Sequence, residues 1–215
     1  MELTLIQKIA IYALPVIFAI TLHEAAHGYA AKHFGDTTAY MLGRISLNPL
    51  RHIDPVGTVL IPLVTLMLGG ILFGWAKPVP VNFGHLRNPK QDMLWVAAAG
   101  PAANLVMAIF WAGMIKLGLS LPEGSSLAIP LILMGKAGIG INAVLMVLNL
   151  LPLPPLDGGR IAVSLLPPSL AYRFASIEPY GMIILVVLLF SGMLGPILTP
   201  LINLTTVAVA SIFGF

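Results

Sequence analysis

The apolar residues of this chain fall into long runs that no charged residue interrupts. Four of these runs are residues 56–76, 93–115, 137–156 and 179–215. A helix needs about 20 apolar residues to cross a membrane, so each run is long enough, and the last can hold two helices. Because proline removes a helix hydrogen bond, we expect the last run to break at Gly195-Pro196.

The first apolar run continues into a polar sequence without losing its helical pattern. Residues 9–22 follow Lys8 and lead into HEAAHGYAAKHFGD, residues 23–36. A signal peptide would instead be followed by a cleavage site of small residues. We therefore expect a retained first helix at about residues 5–34.

Further helices and one irregular region follow from the same pattern. Core helices are expected at about residues 91–119 and 127–150, and a C-terminal helical hairpin at residues 180–215. The intervening residues 37–84 are rich in Gly, Asn and Pro and predict a re-entrant or hairpin region. Within it, DTTAYMLGRISLNPLRHIDP predicts a short strand and turn, and GWAKPVPVN predicts an extended, poorly paired edge.

Composition places the chain in a membrane. Hydrophobic residues make up 58%, charged residues only 9%, and the mean hydropathy is +0.97, whereas soluble domains carry about a quarter charged residues. We predict an all-α polytopic membrane protein, a single domain over residues 1–215. It should have about five to six membrane helices or re-entrant segments and a small β-element near its functional site.

Charge and cysteine content exclude several classes of partner and site. The net charge of +3 is small, and no basic stripe with interleaved aromatics indicates a nucleic-acid partner. The expected surroundings are the lipid bilayer. Because the chain has no cysteine, disulfides and thiolate metal ligands are excluded.

The sequence HEAAH introduces ionisable side chains into the first helix. His23 and His27 lie four residues apart, so both imidazoles share one helix face and can bind one metal ion. Glu24 beside them can accept a proton from water that the ion activates. Ionisable groups inside a membrane helix cost about 2.5–3.5 kcal/mol each, which makes them usually functional. The alternative is a helix end at the interface, where these side chains are merely hydrated.

A catalytic zinc site usually has three protein ligands, so a third is needed. The acidic and histidine candidates are Asp36, Asp54, His33, His52, His85, Asp92, Asp157 and Glu178. All but Asp157 lie in polar or loop-like surroundings, where a surface role explains them. Asp157 follows NLLPLPPL, whose prolines should break the helix at membrane depth, where irregular backbone must be buried or line a wet cavity. The alternative role for Asp157 is the N-cap of a helix that starts near Arg160, and the two roles can coexist.

These residues together resemble the site-2 protease family of intramembrane zinc metalloproteases. HEAAH matches the first motif of the family, and GPAAN, residues 100–104, is similar to its G-P-x-x-N segment. The pattern N-x-x-P-x-P-x-L-D-G is met by Asn149, Pro152, Pro154, Leu156, Asp157 and Gly158. The resemblance covers about half of the chain and is closest to the compact branch without PDZ or CBS domains.

The resemblance implies a complete catalytic site. His23, His27 and Asp157 would bind one Zn²⁺, Glu24 would be the general base, and Asn149 would contact the substrate near the scissile carbonyl. The implied activity is hydrolysis of peptide bonds in or near transmembrane segments of protein or peptide substrates, as in regulated intramembrane proteolysis. The implied location is the cytoplasmic membrane of a prokaryote.

Two other functions compete with proteolysis. A membrane metal-ion transporter would need a polar path to both faces, and the core helices offer little beyond Asn104, Asn142 and Asn149. An inactive substrate-binding homologue would be expected to lack Glu24 or a ligand, and the sequence retains them all. For Asn104, interhelical packing is the plainer role, although we expect it beside the site. The GWAKPVPVN edge could bind substrate by strand addition or form a rigid turn.

A shared metal site also constrains topology. His27 lies toward the C-terminal end of the first helix, and Asp157 lies just beyond the C-terminal end of the fourth. One ion can therefore bind both only if residues 56–73 do not make a simple single crossing. The eight cations then expected on the active-site side are Lys32, Arg44, Arg51, Lys77, Arg87, Lys90, Arg160 and Arg173, against Lys8, Lys116 and Lys136 opposite. This excess makes the active-site side cytoplasmic.

Overall fold

Helices dominate the part of the chain that the structure describes. The computed structural model describes residues 4–61, 64, 67 and 74–215. Its α-helices there are α1 Leu5–His33, α2 Thr38–Met41, α3 Pro89–Ser120, α4 Ala128–Asn149, α5 Asp157–Leu165, α6 Pro168–Ala175, α7 Glu178–Phe190 and α8 Gly195–Ile212. Short 3-10 turns lie at Pro49–His52 and Phe83–His85, and a π-helical turn lies at Pro55–Leu60.

Several of these helices are long and apolar enough to cross a membrane. Within the described residues there are four, namely Ile6–His33, Pro89–Ser120, Ala128–Asn149 and Gly195–Ile212. The pair α6 and α7, bent by 61°, would make a fifth if it forms one span. This architecture fits the predicted all-α membrane protein.

Helix α3 is the centre of the bundle. It packs against α1, α4 and α5, and α4 also contacts α1 and α8. The core at this junction includes Met107, Ala108, Trp111, Ala112 and Ile115 of α3, with Ile139 of α4 and Val209 of α8. Alanines on α3 let the helix backbones approach closely, which stabilises helix contacts in a membrane.

The predicted β-element does not occur among the described residues. Where DTTAYMLGRISLNPLRHIDP predicted a strand, Thr38–Met41 form α2. The Asp36 carboxylate accepts the Thr38 N–H at 3.0 Å, which favours a helical turn, and Gly43 closes the turn with φ +61°. A few alternating residues were too weak a signal against this local hydrogen bond.

Residues 74–82, which we call the proline strip, have no regular secondary structure. The N–H groups of Trp75 and Lys77 donate to Gly57 O at 3.0 Å and His52 O at 2.9 Å. These bonds attach the strip to residues that precede position 62. Residues 62–73, apart from 64 and 67, lie outside the described residues, so the re-entrant path remains a prediction.

Asp36 connects the end of α1 to the segment that leads into α3. Its carboxylate is buried, accepts the Asn82 N–H at 2.7 Å and lies 3.6 Å from His85 Nδ1. Burial alone would raise the pKa of Asp36, but the bonds from Thr38 and Asn82 and the charge on His85 together hold it below its usual value. Nearby, Arg87 N donates to Phe34 O at 3.0 Å, so α1 ends on the side where α3 begins.

The C-terminal helices break slightly earlier than predicted. Helix α7 ends at Phe190, a turn containing Gly192 with φ +76° follows, and α8 begins at Gly195 with Pro196 in its first turn. Proline at the first turn costs no hydrogen bond, because the N–H it lacks would have no partner inside the helix. Gly195-Pro196 therefore starts a helix instead of interrupting one.

Candidate active site

The two histidines of HEAAH and the distant Asp157 meet at one point. His23 Nε2 and His27 Nε2 each lie 3.3 Å from Asp157 Oδ2, and the two nitrogens are 3.1 Å apart. One ligand atom from each residue falls within 4.8 Å of the others. These are the three residues that the resemblance named as metal ligands.

Local backbone structure explains how the three side chains converge. His23 and His27 are one turn apart on α1, so they face the same way. Asp157 is the first residue of α5, and Leu156 occupies the N-cap position without a side-chain cap bond. The alternative role of Asp157 as N-cap therefore does not apply. At Gly158 an added Cβ would lie 2.2 Å from Leu150 O, so only glycine allows this tight return of the chain.

A chain of two buried amides orients the His23 ring. Asn142 Nδ2 donates to Gly138 O at 2.8 Å, and Asn104 Nδ2 donates to Asn142 Oδ1 at 3.0 Å. Asn104 Oδ1 is then left to accept from His23 Nδ1 at 2.6 Å. Because the Gly138 carbonyl can only accept, it fixes the direction of every hydrogen bond in this series of amides. His23 therefore carries its proton on Nδ1 and presents a lone pair at Nε2.

His27 is oriented in the same way by the backbone of α3. Its Nδ1 lies 2.7 Å from Val96 O, a pure acceptor, so Nδ1 carries the proton and Nε2 presents a lone pair. Val96 is buried in a small cluster with Ala31 and Leu86, which fixes the carbonyl between α1 and the start of α3. Both imidazoles are thus held in the tautomer that a metal ligand needs.

The donor set fits a divalent metal ion. Two imidazole lone pairs and a carboxylate oxygen face one another, and Asp157 Oδ2 is buried without a hydrogen-bond donor among the described residues. A shared cation placed among these acceptors would offset their mutual repulsion. Two nitrogens and one carboxylate oxygen make a catalytic zinc ligand set when a fourth position stays open.

Gly100 on α3 provides the space for both rings. A Cβ at this position would lie 2.4 Å from His27 Nε2 and 2.6 Å from His23 Cε1. Any larger residue would therefore displace the ligand atoms. The glycine of the GPAAN segment thus allows α3 to pack closely against the side chains of His23 and His27.

Glu24 is bound to the proline strip. Val79 N donates to Glu24 Oε2 at 2.7 Å. Since Pro78 and Pro80 have no N–H, Val79 supplies the only donor in this Pro-Val-Pro sequence. The strip thus lies across the residue that was expected to act as general base, and one carboxylate oxygen of Glu24 has a fixed position.

Curated relatives place this chain among known proteins. It is 37% identical to YwhC of Bacillus subtilis over 203 residues. This alignment covers 93% of this chain and 89% of the relative. It is 33% identical to Rip2 of Mycolicibacterium smegmatis over 177 residues. This second alignment covers 81% of this chain and 64% of that longer relative. Both carry the name "putative zinc metalloprotease".

The chain belongs to the site-2 protease family. No family model and no solved structure matches it. Membership agrees with the resemblance carried by HEAAH, GPAAN and the N-x-x-P-x-P-x-L-D-G pattern.

The other third-ligand candidates of this site-2 protease family member are engaged elsewhere. Asp54 caps the turn at Val56 and Gly57, Asp92 accepts from Asn88 N, and Asp36 binds Thr38 and Asn82. His52 bonds to Ser46 O, His85 lies beside Asp36, His33 makes an edge-to-face contact with Phe34, and Glu178 pairs with Arg160. None of them belongs to the group of His23, His27 and Asp157.

Asn149 lies at the C-terminal end of α4, close in sequence to the break before Asp157. Its Nδ2 donates to Leu145 O of its own helix at 2.9 Å. Because Nδ2 carries two hydrogens, the second could donate to a substrate carbonyl while this bond persists, and no contact among the described residues tests it. Its predicted contact with substrate therefore remains a prediction.

Asn104→Ala should weaken zinc binding about 10- to 100-fold, the usual effect of losing the hydrogen-bond partner of a histidine ligand. The variant leaves His23 Nδ1 without an acceptor and frees the ring to change tautomer. Competition with a chromogenic chelator would measure the affinity. Asn203→Ala, which removes an exposed amide of α8, is the matched control and should bind as wild type does. Equal affinity in both variants would show that Asn104 serves packing alone.

Proposed function

We propose that this chain is a zinc metalloprotease that hydrolyses peptide bonds in or near the transmembrane segments of membrane proteins. The observation that carries the proposal is the meeting of His23, His27 and Asp157 beside Glu24, on helices long enough to span a membrane. The names of the relatives support the metalloprotease part of this proposal. The membrane setting of the ligands supports the intramembrane part.

The proposed zinc ligands are His23 Nε2, His27 Nε2 and Asp157 Oδ2. When bound there, Zn²⁺ supplies a Lewis acid that lowers the pKa of water and polarises a carbonyl. Asn104 Oδ1 and the Val96 carbonyl accept the Nδ1 hydrogens of the two imidazoles, so both Nε2 atoms face the proposed metal position. The protein thereby presents a ligand set that needs little rearrangement.

Glu24 is the proposed proton carrier. It lies next to His23 on α1, and Val79 N–H holds its Oε2, which leaves Oε1 to accept a proton from the attacking water. The same oxygen then returns the proton to the departing amine. The hydrogen bond from Val79 N–H to Oε2 orients the carboxylate.

The proline strip sets a condition on substrate binding. Val79 N–H is taken by Glu24, and Pro78 and Pro80 have no N–H to offer. Pro78 O accepts from Arg44 Nη2 at 3.3 Å. A substrate strand added here would find few backbone donors, so we infer that the strip acts mainly as a support for Glu24. Asn149 remains the proposed contact for the substrate carbonyl.

The substrate must present an extended peptide bond, because a helix hides its backbone. We propose that the site opens toward the cytoplasm, since the cations expected on that side outnumber those opposite. The proposed substrates are single transmembrane helices with a locally unwound segment.

The direct test uses the purified protein reconstituted in liposomes with a single-helix substrate. We expect cleavage at a bond in or next to the transmembrane segment, located by mass spectrometry of the products. Removal of zinc with a chelator should abolish cleavage, and added Zn²⁺ should restore it. Zinc passage into the liposomes without cleavage would indicate a transporter. Substrate that copurifies with the zinc-loaded protein but stays intact would indicate an inactive binding homologue.

A further inference from the structure

Three cations share an open depression with three apolar side chains. The depression, which we call the basic depression, has a volume of about 360 Å³. Its lining residues are Arg44, Arg51 and Lys77 with Leu42, Leu50 and Ile53. None of the described residues that line it is acidic. None of the three cations pairs with a carboxylate within 4.0 Å in the part of the chain that the structure describes.

The two guanidinium groups are held by neutral groups. Arg44 Nη2 donates to Lys77 O and Pro78 O, each at 3.3 Å, and Arg51 Nη1 donates to Gly43 O. Carbonyl acceptors orient a guanidinium but leave its positive charge uncompensated. Arg44 Nε is also buried without an acceptor among the described residues. The basic depression is therefore a fixed positive site that favours an anion.

The basic depression lies just beyond the end of a candidate membrane span. Its residues follow α1, whose span is Ile6–His33, and the turn Pro49–His52 packs against that helix. Leu42 is 63% exposed and Leu50 is 73% exposed. The positive charges suit the headgroup of a lipid, and the exposed leucines beside them suit the upper part of its acyl chains. A free anion would contact the charges alone.

We propose that the basic depression binds the phosphate group of an anionic phospholipid. Arg44, Arg51 and Lys77 contact the phosphate, while Leu42, Leu50 and Ile53 contact the glycerol and upper acyl carbons. The proposal needs the membrane location of the chain but does not depend on its proteolytic activity.

The test measures binding of phosphatidylglycerol to the full chain in detergent by native mass spectrometry, with phosphatidylcholine as the zwitterionic comparison. We expect wild type to prefer phosphatidylglycerol and Lys77→Gln to bind it about fivefold more weakly, the usual effect of one cation near an anionic lipid. The triple variant Arg44→Gln, Arg51→Gln, Lys77→Gln should lose the preference. A matched variant, Lys8→Gln, Lys136→Gln, Arg173→Gln, removes the same charge elsewhere and should keep it.

Three outcomes would overturn the proposal. The matched variant could lose as much affinity as the triple variant, which would mean that net charge alone attracts the lipid. Wild type could bind both lipids equally. Millimolar inorganic phosphate could displace phosphatidylglycerol completely, which would identify a site for free anions. The single variant Lys77→Gln should fold normally, because the exposed Lys77 side chain makes no hydrogen bond or ion pair among the described residues. A loss of lipid binding in this variant therefore cannot be attributed to misfolding.

Discussion

Glu24→Gln should reduce peptide cleavage at least about 100-fold while zinc binding is unchanged. An amide cannot accept the proton of the attacking water, and general acid–base catalysis contributes about 10²–10⁴-fold to rate. The glutamine oxygen can still accept the Val79 N–H, so the proline strip should keep its position. The measurement is the rate of product formation from a reconstituted single-helix substrate, together with zinc content.

Two further variants make this result specific. Glu24→Ala removes the proton carrier and also the acceptor of Val79 N–H, so hydrogen exchange at Val79 should accelerate in Glu24→Ala but not in Glu24→Gln. Glu178→Gln removes an acid that pairs with Arg160 at 3.1 Å, and it should cleave as wild type does. Cleavage by Glu24→Gln at the wild-type rate would rule out Glu24 as the proton carrier.

Gly100→Ala should lower zinc affinity about 100-fold or more. The new methyl group would lie 2.4 Å from His27 Nε2, so the ligand atoms must move, and ligand displacement should exceed the 10- to 100-fold cost of losing an outer hydrogen bond. Alanine favours helix over glycine by about 1 kcal/mol, so weakening of α3 cannot explain the loss. Zinc affinity would be measured by chelator competition and folding by thermal unfolding.

The matched control lies on the same helix. At Gly113 an added Cβ would be 3.8 Å from its nearest neighbour, the Phe213 ring, which is ordinary contact. Gly113→Ala should bind zinc as wild type does. Normal zinc binding by Gly100→Ala would mean that the two imidazoles can move away from the added methyl group. The ligand geometry would then be less constrained than the close contacts indicate.

Local sequence patterns predicted the main helices and the first half of the site. The apolar runs indicated membrane helices because crossing a bilayer demands length and hydrophobicity. His23 and His27 had to share a helix face because their spacing matches one turn, and α1 runs through both. Three prolines predicted that the helix would end before Asp157. Its meeting with the histidines was an expectation from the family resemblance, and their zinc ligation is still a proposal.

The same patterns were misleading where local hydrogen bonds compete with them. Apolar and polar residues alternate after Asp36, but Thr38–Met41 are helical because Asp36 accepts the Thr38 N–H. The last apolar run was expected to break at Gly195-Pro196, and it breaks just before this pair, at residues 191–194, because proline suits the first turn of α8. In both cases the decisive interaction involves one or two residues and leaves no periodic signal.

The sequence by itself determined the membrane character, the face shared by His23 and His27, and the chemistry available to Glu24. Tertiary structure alone decided that Asn104 binds His23, that Gly100 faces both rings, and that Val79 donates to Glu24. The first group depends on spacing within one helix, which backbone geometry fixes. The second joins residues tens of positions apart, and only the packing of α1, α3 and the proline strip brings them together.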